Sequence, residues 1–176
     1  MLNRFALRHW ALSLLAALAL APAAFAQQQQ PPAEANVDIQ KVQDWEVRCP
    51  QGDTAQGACT MTQLIDNPNS GQPLMRVVQA YPPQADGAVL VFLLPLGVRL
   101  APGMQLSVDN GEPIRFPYQV CQQQGCRGDL PVKPELMRQL RGGSTATLSM
   151  IGPRGERMDL DISLMGFTDA TQRIAP

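Results

Sequence analysis

From Asp44 onward, apolar and polar positions alternate with a period of two, and turn residues interrupt the alternation every eight to twelve positions. Trp45, Val47 and Cys49 form one such run, and Cys59, Met61 and Gln63 open another. Gln72 to Tyr81 carries Val77 and Val78 and stops at Pro82-Pro83. Gly87 to Leu94 (GAVLVFLL) is apolar on both faces, which predicts a central strand covered on both sides.

Two hairpins follow. Met104, Leu106 and Val108 alternate with polar residues, Asp109-Asn110-Gly111-Glu112 turns the chain, and Ile114, Phe116, Tyr118 and Val120 return. Asn-Gly is a strong hairpin signal because both residues tolerate positive φ. Pro113 and Pro117 lack the N–H that a ladder needs, so the return strand belongs at an edge or is irregular. In the second hairpin Ala146, Leu148 and Met150 face inward before Gly152-Pro153-Arg154-Gly155, and Met158, Leu160, Ile162 and Leu164 after it. Between the hairpins, Pro134 to Arg141 reads as a short helix opened by proline and stopped by Gly142-Gly143. A last helical turn is expected near Thr168. Seven to nine short strands with one short helix predict an antiparallel β-sandwich, with a closed barrel as the alternative.

The start of the chain breaks this pattern. Arg4 and Arg8 precede an apolar run from Ala11 to Ala21, and Ala24-Phe25-Ala26 has the small residues of a cleavage site. Residues 1–26 are therefore expected to be a cleaved signal peptide; the run is too short to span a membrane and is broken by Pro22. Residues 27–42, Gln- and Pro-rich at first, are expected to be a disordered leader, and 43–176 the folded domain. The implied location is the periplasm, or the secreted or outer-membrane-associated fraction, with no integral membrane segment after cleavage near Ala26.

Removing the signal takes the formal charge from −1 to −3, because Arg4 and Arg8 go and no acid does. A mildly acidic chain lacks the basic patch that nucleic-acid binding needs. The only histidine, His9, is lost as well, which removes the usual centre of Ser-His-Asp and Cys-His catalysis and of most zinc sites. All four cysteines, Cys49, Cys59, Cys121 and Cys126, lie in the exported part and read as two disulfides. Four cysteines allow three connectivities, and sequence alone does not choose among them. Cys49–Cys59 and Cys121–Cys126 are favoured because each closes a short polar loop, worth about 2–3 kcal/mol in the chain-entropy model. The spacings do not suit a four-thiolate zinc site, and no metal or cofactor is expected.

Each candidate for chemistry has a simpler structural account. Asp159 and Asp161 share one strand face and, with Asp109, are the carboxylates that a polysaccharide- or peptidoglycan-cleaving enzyme would use. Their alternation with Met158, Leu160 and Ile162 already explains them as a solvated face. No G-x-S-x-G or S-x-x-K motif is present, so no catalytic residue is assigned. Arg127-Gly128-Asp129 directly follows Cys126 and is the tripeptide of integrin ligands. As a binding loop it needs an exposed tip with its charges splayed; its simpler account is a turn. Trp45 is expected to plug the core, and Pro95 and Gly97 to bend the chain away from the central strand.

Taken together, the residues resemble the invasion-associated locus B family. The resemblance rests on Asp44-Trp45-Glu46-Val47-Arg48-Cys49, Cys59-Thr60-Met61-Thr62-Gln63, Leu94-Pro95-Leu96-Gly97-Val98 with Leu100, and Leu106-Ser107-Val108-Asp109. It continues through Pro117-Tyr118-Gln119-Val120-Cys121, Gly125-Cys126 and Leu164-Met165-Gly166-Phe167 to Ala170. It implies an exported envelope protein with an immunoglobulin-like β-sandwich. The family name derives from bacterial entry into red cells, a process that brings no catalytic residues with it. The expected fold is thus an all-β, immunoglobulin-like antiparallel sandwich with one short helix and two disulfides. The expected role is non-enzymatic contact with a protein partner in the envelope or on a host cell. A carboxylate enzyme and a small-ligand carrier are the alternatives.

Overall fold

A computed structural model describes residues 37–51, 59–67 and 70–176. The expected signal peptide and residues 27–36 of the expected leader lie outside the described residues.

Eleven strands and two helices occur among the described residues. They run β1 (Val37–Val42), β2 (Trp45–Pro50), β3 (Thr60–Asp66), β4 (Pro73–Ala80), β5 (Val89–Leu94), β6 (Met104–Val108), β7 (Ile114–Phe116), β8 (Val120–Gln122) and β9 (Gly125–Pro131). Helix α1 (Pro134–Gly142), β10 (Thr145–Ile151), β11 (Arg157–Ser163) and helix α2 (Phe167–Ile174) complete the chain. A large sheet of seven strands has the order β1-β2-β3-β4-β5-β9-β8, and a small sheet of four has the order β11-β10-β6-β7. All pairings are antiparallel. The two sheets and the helices enclose one core, so the predicted antiparallel sandwich holds.

Alternation decides what enters that core. From the large sheet come Trp45, Val47, Met61, Met75, Val77, Leu90, Phe92 and Leu94; from the small sheet Met104, Leu106, Leu148, Met150, Leu160 and Ile162. Helix α1 adds Leu136 and Leu140, and α2 adds Phe167, Ala170 and Ile174. Trp45 and Phe167 meet edge to face at 5.4 Å. A polar tie joins the sheets beside them. The Gln63 amide accepts from the Ser163 N–H at 2.9 Å and donates to the Ser163 carbonyl at 3.1 Å, while the Trp45 indole donates to that carbonyl at 3.0 Å. The large majority of buried polar groups in folded proteins are bonded in this way.

The structure corrects several sequence expectations. Residues 37–42 of the expected leader form β1, fully paired with β2. Only Val42 of that strand is buried, so alternation gives little sign of it. The predicted return strand after Asn110-Gly111 splits: β7 stays as a three-residue edge, then the chain crosses through Pro117-Tyr118-Gln119 to form β8 in the large sheet. Prolines on both sides of β7 set its length. The helical turn near Thr168 is a full two-turn helix, α2, in addition to the one helix expected. β5 lies inside the large sheet as predicted, but its two faces are unequally covered: Phe92 is 0% exposed, whereas on the other face Leu93 is 41% exposed.

Candidate interaction surface

Antiparallel pairing lines up same-facing residues in rows across a sheet. On the outer face of the large sheet one row reads Leu64, Arg76, Leu93, Arg127, Val120 across β3, β4, β5, β9 and β8. The adjacent row reads Lys41, Glu46, Thr62, Val78, Val91, Asp129. Leu64, Leu93 and Val120 are exposed, as are Val37 and Ile39 on the same face of β1. These make five of the eight exposed large hydrophobic residues among those described; Leu96, Leu100 and Met165 lie in connecting segments. Arg76 and Arg127 stand between Leu64, Leu93 and Val120, so aliphatic and guanidinium groups alternate across the face. Several large aliphatic side chains exposed on one sheet face make it a candidate interaction surface.

The arginines in this lattice differ in availability. Arg127 donates to both oxygens of Asp129, at 2.7 and 3.0 Å, and that hydrogen bonding raises its pKa above the ordinary value. Arg48 donates to Glu46 at 2.5 Å. Arg76 has no hydrogen bond or ion pair among the described residues and borders a shallow depression of about 300 Å³ with Lys41, Arg48 and Leu64. A weakly hydrated guanidinium set among aliphatic side chains suits a partner surface that is apolar and carries carboxylate groups.

A second concavity, of about 610 Å³, lies between β7 and α1, with Ile114, Phe116, Leu130 and Leu136 along it and Glu112, Arg115, Lys133 and Glu135 at its rim. β7 offers few main-chain partners there, because Pro113 and Pro117 have no N–H to give. Glu135 is already paired with Arg138.

Arg127-Gly128-Asp129 is not a loop. The three residues lie in β9, paired with Leu93, Phe92 and Val91 of β5, and the two charges neutralise each other along the strand. A Cβ on Gly128 would collide with the Met104 methyl, so this glycine lets the two sheets approach. The turn expected here was a misreading whose cause is visible: inward-facing Gly128 hides the alternation of Cys126 and Leu130.

The carboxylates do not form an acid–base pair. Asp159 accepts from Arg157 at 2.9 Å, and hydrogen bonding by the Ser149 hydroxyl, followed by Arg157, holds it below the usual carboxylate range. A glycosidase acid requires the opposite shift. Asp161 accepts from the Thr147 hydroxyl at 2.8 Å. Asp109 accepts the N–H groups of Ser144 and Thr145, at 2.9 to 3.1 Å, and closes the start of β10. Among the described residues, a cavity between the sheets measures about 10 Å³, roughly one water-sized sphere and too small for a carried ligand.

Other expectations stand. Trp45 is a core residue at 1% exposure. Gly97 takes a φ of 99° where the chain leaves β5. Cys49–Cys59 and Cys121–Cys126 are both bonded, the second directly across the β8–β9 ladder. What the sequence did not reveal is the outer row, because it depends on register among five strands. The one available signal was a strand apolar on both faces.

The model of the family described as "Invasion associated locus B (IalB) protein" matches residues 45–175. Invasion protein B homologs of Brucella abortus strain 2308 and of its biovar 1 strain 9-941 are each 31% identical over 137 residues, 75% of this chain and 76% of theirs. The crystal structure of invasion associated protein B from Bartonella henselae superposes with a TM-score of 0.67 at 21% identity, covering 78% of this chain and 95% of that one. This chain belongs to the invasion associated locus B family.

Proposed function

We propose that this protein is an exported envelope protein, without catalytic chemistry of its own, that acts by binding another protein through the outer face of its large sheet. The row of Leu64, Arg76, Leu93, Arg127 and Val120 carries this reading. Its aliphatic side chains supply area to remove from water, and Arg76 supplies a cation with no partner among the described residues. The paired, structural roles of Asp109, Asp159 and Asp161 leave the carboxylate-enzyme alternative without support. Export rests on the signal-like residues 1–26 and on two disulfides, which persist in oxidising compartments. The names of the relatives make host-cell invasion the process to examine first.

A photo-crosslinking residue at Leu93, compared with one at Asp161 on the outer face of β11, tests the surface in intact cells. A discrete adduct with one envelope or host protein at Leu93 alone is expected. No adduct at Leu93, or the same products at both positions, would refute the assignment. Protease treatment of those cells beside a periplasmic control then distinguishes a surface protein, which is digested, from a periplasmic one.

A further inference from the structure

The four sheet edges are unequally protected. β7 is three residues long with prolines on either side, and β8 is three residues long and tied to β9 by Cys121–Cys126. β11 is longer but carries exposed Arg157, Asp159 and Asp161. Short length, proline and charge are the usual means by which sheets avoid joining other strands. β1 has six residues and no proline; it carries Asp38 and Lys41, but its Val37 and Ile39 are exposed, which makes it the one long edge with aliphatic side chains in the open.

The register of β1 shows what its edge offers. A two-residue turn, Gln43-Asp44, joins it to β2, and Val42 faces Trp45 across that turn. The pair closing a two-residue hairpin exchanges both main-chain hydrogen bonds, and this alternates along the ladder. Val42, Gln40 and Asp38 therefore bond to β2. Val37, Ile39 and Lys41 direct their N–H and C=O groups away from the sheet, and their side chains share its outer face.

We propose that β1 is the joint between two copies of this chain, pairing antiparallel with β1 of the second copy about a two-fold axis at Ile39. The three outward positions are symmetric about Ile39, so this register uses all of them. Ile39 opposes Ile39 of the second copy, and Val37 opposes Lys41 at both ends, giving about six main-chain hydrogen bonds. A shift of two residues either way leaves an outward position unpaired. The intervening pairs set Asp38 against Gln40, a carboxylate against an amide, with no like charges opposed. Ile39, 52% exposed, and Val37, 39% exposed, gain apolar neighbours, which an isologous contact gives to both copies at once. The axis stands perpendicular to the sheet, so both large sheets continue as one with their outer faces on the same side.

The test uses protein purified from cells that export the full chain, followed by sedimentation across the micromolar to millimolar range. Wild type is expected to shift from monomer to dimer with concentration. Ile39→Pro removes an N–H that points outward while leaving the bonds to β2, and should sediment as monomer with an unchanged melting temperature. Ile39→Lys places like charges opposite each other and should weaken association roughly tenfold or more; it carries the test if the proline variant melts early. Leu64→Ser, which alters only the proposed partner surface, should dimerise like wild type. A wild type that stays monomeric throughout, or a folded Ile39 variant that dimerises as wild type does, overturns the proposal. Neither result bears on crosslinking at Leu93.

Discussion

The two faces of the large sheet are built by alternate residues of the same strands, yet they have different fates. Toward the small sheet, β5 presents Leu90, Phe92 and Leu94, which meet Met104, Leu106 and Phe116 or their neighbours in the core. Toward solvent the same strand presents Val91 and Leu93, flanked in register by Val78, Arg76, Asp129 and Arg127. Strand propensity is equal on both faces, since both carry β-branched or aliphatic residues. The difference lies in the second layer, which the small sheet and the helices supply on one side. Side chains facing that layer become stability, and those on the other side remain available for contact.

Neighbouring residues give the largest test of this contrast. Phe92→Ala should cost about 3–5 kcal/mol, because a fully buried ring beside Phe116 leaves a cavity. Leu93→Ala should change stability by no more than about 0.5 kcal/mol. Urea unfolding of the two variants measures both. If Leu93→Ala proved as costly as Phe92→Ala, the outer face would be covered in solution and the contrast would fail.

The same distinction explains how much the sequence revealed. Strands whose inward residues are large and regularly spaced were legible, as with Trp45, Val47 and Cys49 or Leu160 and Ile162. So was the Asp109-Asn110-Gly111 turn, where Asp109 and Asn110 take φ of 46° and 62°. Short loops favoured the correct disulfide pairing. β1 was missed because it buries one residue of six, and β9 because a glycine fills an inward position where the sheets come close. The outer row was not legible because rows follow from register, which turns and long-range pairing set. GAVLVFLL marked β5 as interior to a sheet, but an apolar run does not tell which of its faces has a layer above it.

A smaller effect is expected within β9, where one tripeptide samples both faces. Gly128→Ala should cost about 1–3 kcal/mol by forcing the Met104 side chain, itself fully buried, out of its place. Arg127→Ala and Asp129→Ala break only a surface ion pair and should each cost less than about 1 kcal/mol. Thermal melts of the three variants sharpen the comparison. Three equal losses would mean that the tripeptide does not divide between core and surface as its register requires.

The smallest effect tests whether the outer face of the small sheet, which is charged where that of the large sheet is aliphatic, behaves as solvated surface. The Ser149 hydroxyl and then Arg157 hold Asp159 below the usual carboxylate range in the folded protein. Its unfolded value is the ordinary one, about 4. A lowered folded pKa means that the unfolded chain takes up the proton first as the medium is acidified. The stabilisation is therefore complete above the unfolded value and is lost as pH falls through the folded one. The Asp159 side chain is 47% exposed, so solvent screening keeps the contribution well under about 1 kcal/mol. Asp159→Asn should melt slightly below wild type at neutral pH, and the gap should close on acidification below about pH 4 and shrink in high salt. A gap that persists in acid would mean that Asp159 acts through packing. The outer face of the small sheet would then resemble the core more than it resembles the exposed row across the large one.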